Sequence, residues 1–449
     1  MSTLMQKTPL KIAIVGSGIS GLAAAHALQG SANISLFESG SYFGGHTHTV
    51  DITLPTAKGA STRSITHGID TGFLVFNERT YPYLIKIFAD LKVETAKSDM
   101  SFSVQVPQKN GVSKNSLEWS GSNLSTVFAQ RSNLLNPRFW RMLRDLMRFN
   151  KLATGIAESG ADEQLMQPLE EFLQTNNFST EFRDWYLLPM LGCIWSCPTS
   201  QMLQFPVATM VRFCHNHGLL QVNDRPQWWT VAGGAKHYVE KIVTKIADKR
   251  LNTPVHCITR DSRGAHIVTS MGSERFDKVI IATHSDQALA MLQQPSHAEA
   301  RALSAISYQA NTAVLHTDAS VLPQRKAAWA AWNYERVQSD PSQPDNTNVC
   351  LHYLINKLQP IPFEQPVVVS LNPIKPIAAE HVLGRFDYAH PVFDMAAIKA
   401  QADIPALQGQ QNTYFCGAWT GYGFHEDGLK SGLAAAKQLL EDSQWQAAA

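Results

Sequence analysis

Lys11-Ile12-Ala13-Ile14-Val15 runs directly into Gly16-Ser17-Gly18-Ile19-Ser20-Gly21, and a helical stretch to Leu28 leads on to Ile34-Ser35-Leu36-Phe37-Glu38. No other feature constrains the chain so strongly, because each position in this strand, turn, helix, strand and acid has its own physical task. Gly16 permits the tight turn out of the strand. Gly18 lets the backbone approach a pyrophosphate without a Cβ in the way, and Gly21 allows the helix to pack closely on the strand. The first turn of the helix, with Ser20, offers free N–H groups and the positive end of a dipole to the phosphates. Glu38, followed by Ser39, closes the second strand, where a carboxylate accepts hydrogen bonds from a ribose diol. An acid there favours an unphosphorylated ribose, so the expected ligand is FAD or NAD rather than NADP.

A chain of 449 residues has room for two domains with substantial cores. A net charge of +1 gives no global reason to expect nucleic acid, so any basic surface must be local. No apolar run approaches the roughly 20 residues that span a bilayer. The first apolar stretch is the strand that enters the glycine turn, not a signal peptide, and a cytoplasmic protein is expected. The six cysteines are scattered in apolar settings and read as reduced, buried thiols. Cys193, Cys197 and Cys214, with His215 and His217, match no closed zinc spacing, so no metal is expected.

The pattern predicts an α/β protein in which the chain visits a discontinuous, Rossmann-like dinucleotide-binding domain three times, over 1–105, 221–300 and 386–449. An inserted α+β substrate domain takes 106–220 and 301–385. The second visit starts near Gly233-Gly234 and includes a hairpin at Arg263-Gly264 and the buried strand from Lys278 to Thr283. In the inserted part, Asn311 to Leu315 and Pro366 to Ser370 read as strands, and the polar stretch Gln338 to Asn348 as a surface loop. The last visit is the strand Thr413 to Cys416, a glycine-rich turn, and a helix from about Gly428 to Leu440.

A second glycine pair decides between the cofactors. Gly44-Gly45, followed by Thr47 and Thr49, resembles the flavin amine oxidase superfamily, which includes monoamine and polyamine oxidases, protoporphyrinogen oxidase and phytoene desaturases. That resemblance implies noncovalent FAD, with Gly44-Gly45 over its pyrophosphate and Val255 on its adenine side. The chain is more closely similar to bacterial NAD/FAD-binding oxidoreductases and to the flavoprotein domain fused to plant-type cyclopropane-fatty-acid synthases. The stretches that carry this are Gly44-Gly45-His46, Asp99 to Val104, Ile194-Trp195-Ser196-Cys197-Pro198, Arg225 to Trp228, Ala328 to Asn333 and Gly421 to Gly428. Two departures stand out. His46 occupies the place where the superfamily commonly has an arginine, and Gly417-Ala418-Trp419 lacks the usual acid of the ribityl contact.

The same turn suggests the chemistry. Asp427 before Gly428 reads as a helix N-cap, whose helix would present N–H groups to the pyrimidine end of a flavin. Counting back from Gly432, His425 falls where amine oxidases place one tyrosine of an aromatic cage, which favours oxidation of C–H bonds in an apolar chain over amine oxidation. His425 is the candidate base, with Glu426 as its orienting partner; the alternative is a histidine that only bonds within the turn. Asp70, in Gly68-Ile69-Asp70-Thr71-Gly72-Phe73, reads either as a flavin-side loop acid, with Gly72 beside the cofactor, or as a cap for a turn. Trp195, Trp228, Trp332 and Tyr422 read either as lining for a substrate channel or as plain core.

In 138–151, Arg141, Arg144, Arg148 and Lys151 share one side of a helix, opposite Phe139, Met142, Leu143, Leu146 and Phe149. Such a helix either packs on the core with a solvated basic face or lies on anionic lipid at the inner face of the membrane. The expected function is FAD-dependent oxidation or desaturation of a hydrophobic substrate, such as a membrane-lipid acyl chain. The alternatives are a peroxide-producing amine oxidase and a non-catalytic flavin-binding partner of a lipid-modifying methyltransferase.

Overall fold

Ile12, Ala13, Ile14 and Val15 show no polar alternation because both faces of their strand are covered, and all four are buried. In the computed structural model, which describes residues 9–56, 63–106, 117–159, 167–221, 225–336 and 349–448, this strand is central in a five-stranded sheet. Gln338 to Asn348 lies outside the described residues. The sheet order is Asp248–Arg250, Ala32–Phe37, Leu10–Val15, Lys278–Ile281, Thr413–Phe415, and every pairing is parallel. Strands of all three expected visits therefore pair in one sheet. An antiparallel sheet of Cys257–Asp261, Gly264–Thr269 and Gly272–Phe276 follows the edge strand in the chain and contains the expected hairpin.

The second large unit is a seven-stranded sheet. Its order is Val382–Pro391, Tyr308–His316, Val368–Leu371, Cys350–Leu354, Trp332–Glu335, Phe102–Val106, Leu117–Ser120. The expected domain limits at 105 and 385 each fall inside one of these strands, since Phe102–Val106 and Val382–Pro391 both pair within the sheet. Helices between Pro137 and Asn216 complete this part of the molecule. One apolar cluster runs from Ile12 and Leu22 through Phe149 and Phe213 to Leu371 and Tyr388, so the two parts share a core. On the seven-stranded sheet the buried polar groups are paired across strands. Ser370 Oγ lies 2.7 Å from both His316 Nε2 and His352 Nδ1, and His352 Nε2 is 3.1 Å from Glu335. Among the described residues no helix is long and apolar enough to cross a membrane.

The C-terminal helix spans His425–Ala448 and starts a turn earlier than the sequence suggested. Gly428 N–H donates to Phe424 O at 3.0 Å, which extends the helical bonding upstream. The helix lies against Ile19–Leu28, and the approach is close enough to require glycine. A methyl group on Gly432 would sit 2.1 Å from Ser20 O and 3.0 Å from Ala23 Cβ.

Asp70 acts as a cap. Its carboxylate accepts the Ala235 N–H at 2.9 Å, the Gln359 side-chain amide at 2.8 Å and the Thr49 hydroxyl at 2.5 Å. Gln359 Oε1 in turn accepts the Asp70 N–H at 3.0 Å. This joins the strand Ser64–Asp70 to the turn before the helix Lys236–Val243 and to the substrate part. Burial pushes the Asp70 carboxyl up from 3.8 to about 7, partly offset by these hydrogen bonds.

Two predictions follow from this packing. Between pH about 4 and about 7 the unfolded chain has released the Asp70 proton while the folded chain retains it, so unfolding free energy falls as pH rises through that window. In denaturant titrations, Asp70→Asn should remove up to about 1.4 kcal/mol per pH unit of that slope; an unchanged slope would mean an ordinary carboxyl. Gly432→Ala should destabilise the fold by about 1–3 kcal/mol through overpacking, despite alanine's better helix propensity.

Candidate FAD site

The carboxyl ends of the parallel strands converge on the glycine turn. Gly16 adopts φ +100°, and a methyl group there would lie 2.8 Å from Ala282 O, so only glycine makes this exit from the strand. Gly18 faces open space, with nothing within 4 Å of the position a Cβ would take. It is the N-cap of Ile19–Leu28 and supplies no side-chain cap, which leaves the first-turn amides available. Gly21 packs under Gly16, where a Cβ would meet Gly16 O at 1.9 Å. The Glu38 carboxylate accepts the Ser17 N–H at 3.0 Å, the Ser17 hydroxyl at 2.6 Å and the Gly40 N–H at 2.8 Å, with the Ser39 hydroxyl at 3.3 Å. Two of these donors are hydroxyls, which can turn away when a ribose diol arrives.

Ser17 is fully buried, and its hydroxyl also accepts the Gly44 N–H at 3.2 Å. One side chain thereby holds the acid, the glycine turn and the second glycine pair in register. Gly45 lies directly on the turn, since a Cβ there would be 3.0 Å from Gly18 Cα. Thr253 N–H donates to Glu38 O at 2.8 Å, which holds the segment leading to Val255 beside the strand-end acid. Open backbone, uncapped helix amides and a strand-end carboxylate form a donor and acceptor set that fits the diphosphate and ribose of FAD.

Beyond the glycine pair the polar groups are histidines. The ring of His46 is 5.1 Å from Tyr388, 5.4 Å from His390 and 6.1 Å from His284, and its buried Nε2 has no hydrogen-bond partner. Burial, reinforced by His390, His284 and His425, holds His46 well below the usual histidine range. It therefore stands as a neutral group directly after the glycine pair. Gly72 allows the chain to pass the His46 carbonyl, which a Cβ would approach to 2.2 Å, and Phe73 N–H donates to the same oxygen at 2.8 Å. Thr47 is buried with its hydroxyl 2.6 Å from Tyr238 Oη.

At the far end, His425 stacks on Phe73 with ring centroids 3.8 Å apart, and its Nε2 is 2.7 Å from Tyr238 Oη. Burial pushes its pKa down to about 3, so the resting imidazole is neutral. Its orienting partner is Tyr238, not Glu426. The Glu426 carboxylate accepts the amides of Tyr83 at 2.8 Å and Leu84 at 3.0 Å. These are first-turn amides of the helix Pro82–Leu91, whose own N-cap, Tyr81, supplies no side-chain cap. Asp427 likewise does not cap its helix from outside; it lies within the first turn and accepts the N–H groups of Tyr422 and Phe424, both at 3.1 Å. Gly428 packs against Ile19 and Ser20, which ties this turn to the glycine loop. Gly417 N–H donates to Ser431 Oγ at 2.9 Å, and the following Trp419 is buried with its indole on Thr283 O.

Trp195, Tyr422 and Trp228 belong to a cluster with Phe213, His217 and Phe424. Phe213 stacks on Phe424 at 4.5 Å and on His217 at 3.9 Å, and contacts Trp195 at 4.9 Å and Tyr422 at 6.2 Å. Trp228 stacks on His217 at 6.3 Å. Trp332 stands apart from these rings, edge-on to Tyr353 on the seven-stranded sheet. Cys197 and Cys214 beside the cluster are pushed up to about 12 by burial, which keeps them protonated thiols. Ser17, Phe73, Tyr238 and Phe213 are the site residues that sequence reasoning missed. Ser17 lay inside the glycine motif and was the one with a local signal.

The description "Flavin containing amine oxidoreductase" belongs to the family whose sequence model matches residues 19–440. Curated protein sequences gave no match. Among solved structures, putrescine oxidase bound to putrescine is similar at 16% identity and a TM-score of 0.66, over 96% of this chain and 99% of that one. Cyclohexylamine oxidase from Brevibacterium oxydans is similar at 16% identity and 0.63, over 97% and 100%. The CLA-producing fatty acid isomerase from P. acnes is similar at 16% identity and 0.64, over 96% and 98%. At such identities the structures establish the fold, and the family follows from the sequence match across nearly the whole chain. The chain belongs to the flavin-containing amine oxidoreductase family and is an FAD-dependent oxidoreductase.

Proposed function

We propose that the protein oxidises or desaturates a hydrophobic substrate, with a fatty-acyl chain as the class that fits best. The observation that carries this reading is the fate of the two acids beside His425. A protonated amine needs an anion or an electron-rich cage to hold it. Here Glu426 is taken up by the Tyr83 and Leu84 amides, and Asp427 by those of Tyr422 and Phe424. Burial raises the pKa of both. The rings of this region pack on one another: Phe213 on Phe424 and Trp195, and Phe73 on His425. A fatty acid isomerase within the same fold is in keeping with such a substrate.

Bound FAD supplies the two-electron acceptor, returned to its oxidised form by oxygen or a quinone. The protein's own residues bind and orient. The aromatic cluster excludes water from an extended chain, and the buried Thr47–Tyr238–His425 hydrogen bonds fix one imidazole edge beside the turn. A neutral His425 leaves the site without a charge that an apolar chain would have to desolvate.

Anaerobic mixing of the yellow holoprotein with fatty acids, phospholipids and polyamines tests the reading. Bleaching by an acyl compound is the expected result. Bleaching by polyamines with peroxide release would establish an amine oxidase instead. No bleaching by any lipid class would favour a flavin-binding partner of a lipid-modifying methyltransferase. Tyr238→Phe should retain bound flavin and lower kcat by about tenfold to a hundredfold through misplacement of His425, with little change in KM. With His425 titrating near 3, the pH–rate profile should show no inflection from it between pH 5 and 8.

A further inference from the structure

We propose that the surface built by residues 124–151 docks the protein on an anionic lipid bilayer. Ten large hydrophobic side chains are exposed among the described residues, and five of them, Leu124, Leu134, Leu135, Trp140 and Met147, fall between 124 and 147. Scattered exposed apolar residues need no explanation, but a concentration of this kind does. Leu135 is 90% exposed at the end of the short helix Arg131–Leu135. This turn is held in place, because the Trp140 indole donates to Leu134 O at 2.9 Å and its ring lies 5.4 Å from Phe128.

The helix Pro137–Ser159 meets both demands made on it. Phe139, Met142, Phe149 and Ala153 are buried, so its apolar face is committed to the core, as the simpler sequence reading had it. The opposite stripe, at i, i+4, i+7 and i+11, is Trp140, Arg144, Met147 and Lys151. An exposed stripe that alternates aromatic or thioether groups with cations suits a lipid interface, with apolar groups among the acyl chains and cations at the phosphates.

The acids of this region strengthen the argument. Glu181 pairs with Arg138 at 2.6 Å and Arg141 at 3.6 Å, and Asp145 with Arg144 at 3.6 Å and Arg148 at 3.5 Å. Both acid side chains are at most 5% exposed, whereas these arginines are 43–72% exposed. The face that meets solvent is therefore positive, complementary to an anionic leaflet. The helix packs on Val207–Asn216, which carries Phe213 of the aromatic cluster. The docking proposal does not depend on the substrate, because it rests on the outer surface alone.

Co-sedimentation of the full-length holoprotein with vesicles tests it. Binding to phosphatidylglycerol-rich vesicles, absent with pure phosphatidylcholine and weakened by salt, is expected. The double variant Leu135→Glu/Met147→Glu should abolish it. Arg144→Gln/Lys151→Gln should lower partitioning about 25-fold, at about fivefold per charge. Both variants should retain flavin absorbance and thermal stability. Failure of the wild type to bind anionic vesicles at low salt, or equal binding by both variants, would overturn the proposal. So would a concentration-dependent dimer that the Leu135→Glu/Met147→Glu variant dissolves, since a second copy would then cover the patch.

Discussion

The hydroxyl of Ser17 is the contact on which the cofactor end of the molecule depends. It donates to Glu38 and accepts from Gly44, so the turn after the first strand, the acid after the second and the second glycine pair hang on a single buried oxygen. The alternatives available to such a group explain its weight. A buried hydroxyl with no partner is costly, and a buried carboxylate without donors more so, so each of these groups fixes the others. The carboxylate is presented at the strand end because its amide donors come from Ser17 and Gly40, on either side of it.

Beyond that anchor the polar lining carries little charge. His46 and His284 are held below the usual histidine range, and His390 is pushed down to about 4, in each case chiefly by burial. A diphosphate placed near such groups must be met by backbone amides and the helix dipole more than by formal cations. That is a coherent answer to the missing arginine after Gly45. Oriented dipoles in a buried setting stabilise an anion without the desolvation cost that a buried guanidinium carries.

What was legible in the sequence was what neighbours in the chain encode. Gly16, Gly18, Gly21 and Glu38 announce themselves because the turn, the approach and the helix contact each demand a particular residue at a fixed spacing. The strands around Ile14, Ile280 and Val314 showed as apolar runs for a similar local reason. The partners of the acids did not show. Glu426 looked like a companion of His425 because they are adjacent, yet consecutive residues on a helix point about 100° apart, and its carboxylate reaches the start of a helix more than 340 residues earlier in the chain. Tyr238 was hidden likewise, since nothing near it in sequence marks a bond to His425 187 residues away. The strand ends at 106 and 391 could not be placed because each strand pairs with one far off in the chain, Trp332–Glu335 and Tyr308–His316 respectively.

The five-stranded sheet has a consequence for how the protein is made. Its middle strand, Leu10–Val15, precedes the other four in the chain. Its last strand, Thr413–Phe415, and the helix that seats Gly428 and Gly432 on the glycine turn follow all the others. Until those segments are made, the nucleotide turn stands on a sheet that lacks its far edge. A chain without the segment around residue 432 would carry the nucleotide fingerprint intact but lack the helix that packs against Ser20 and Ala23.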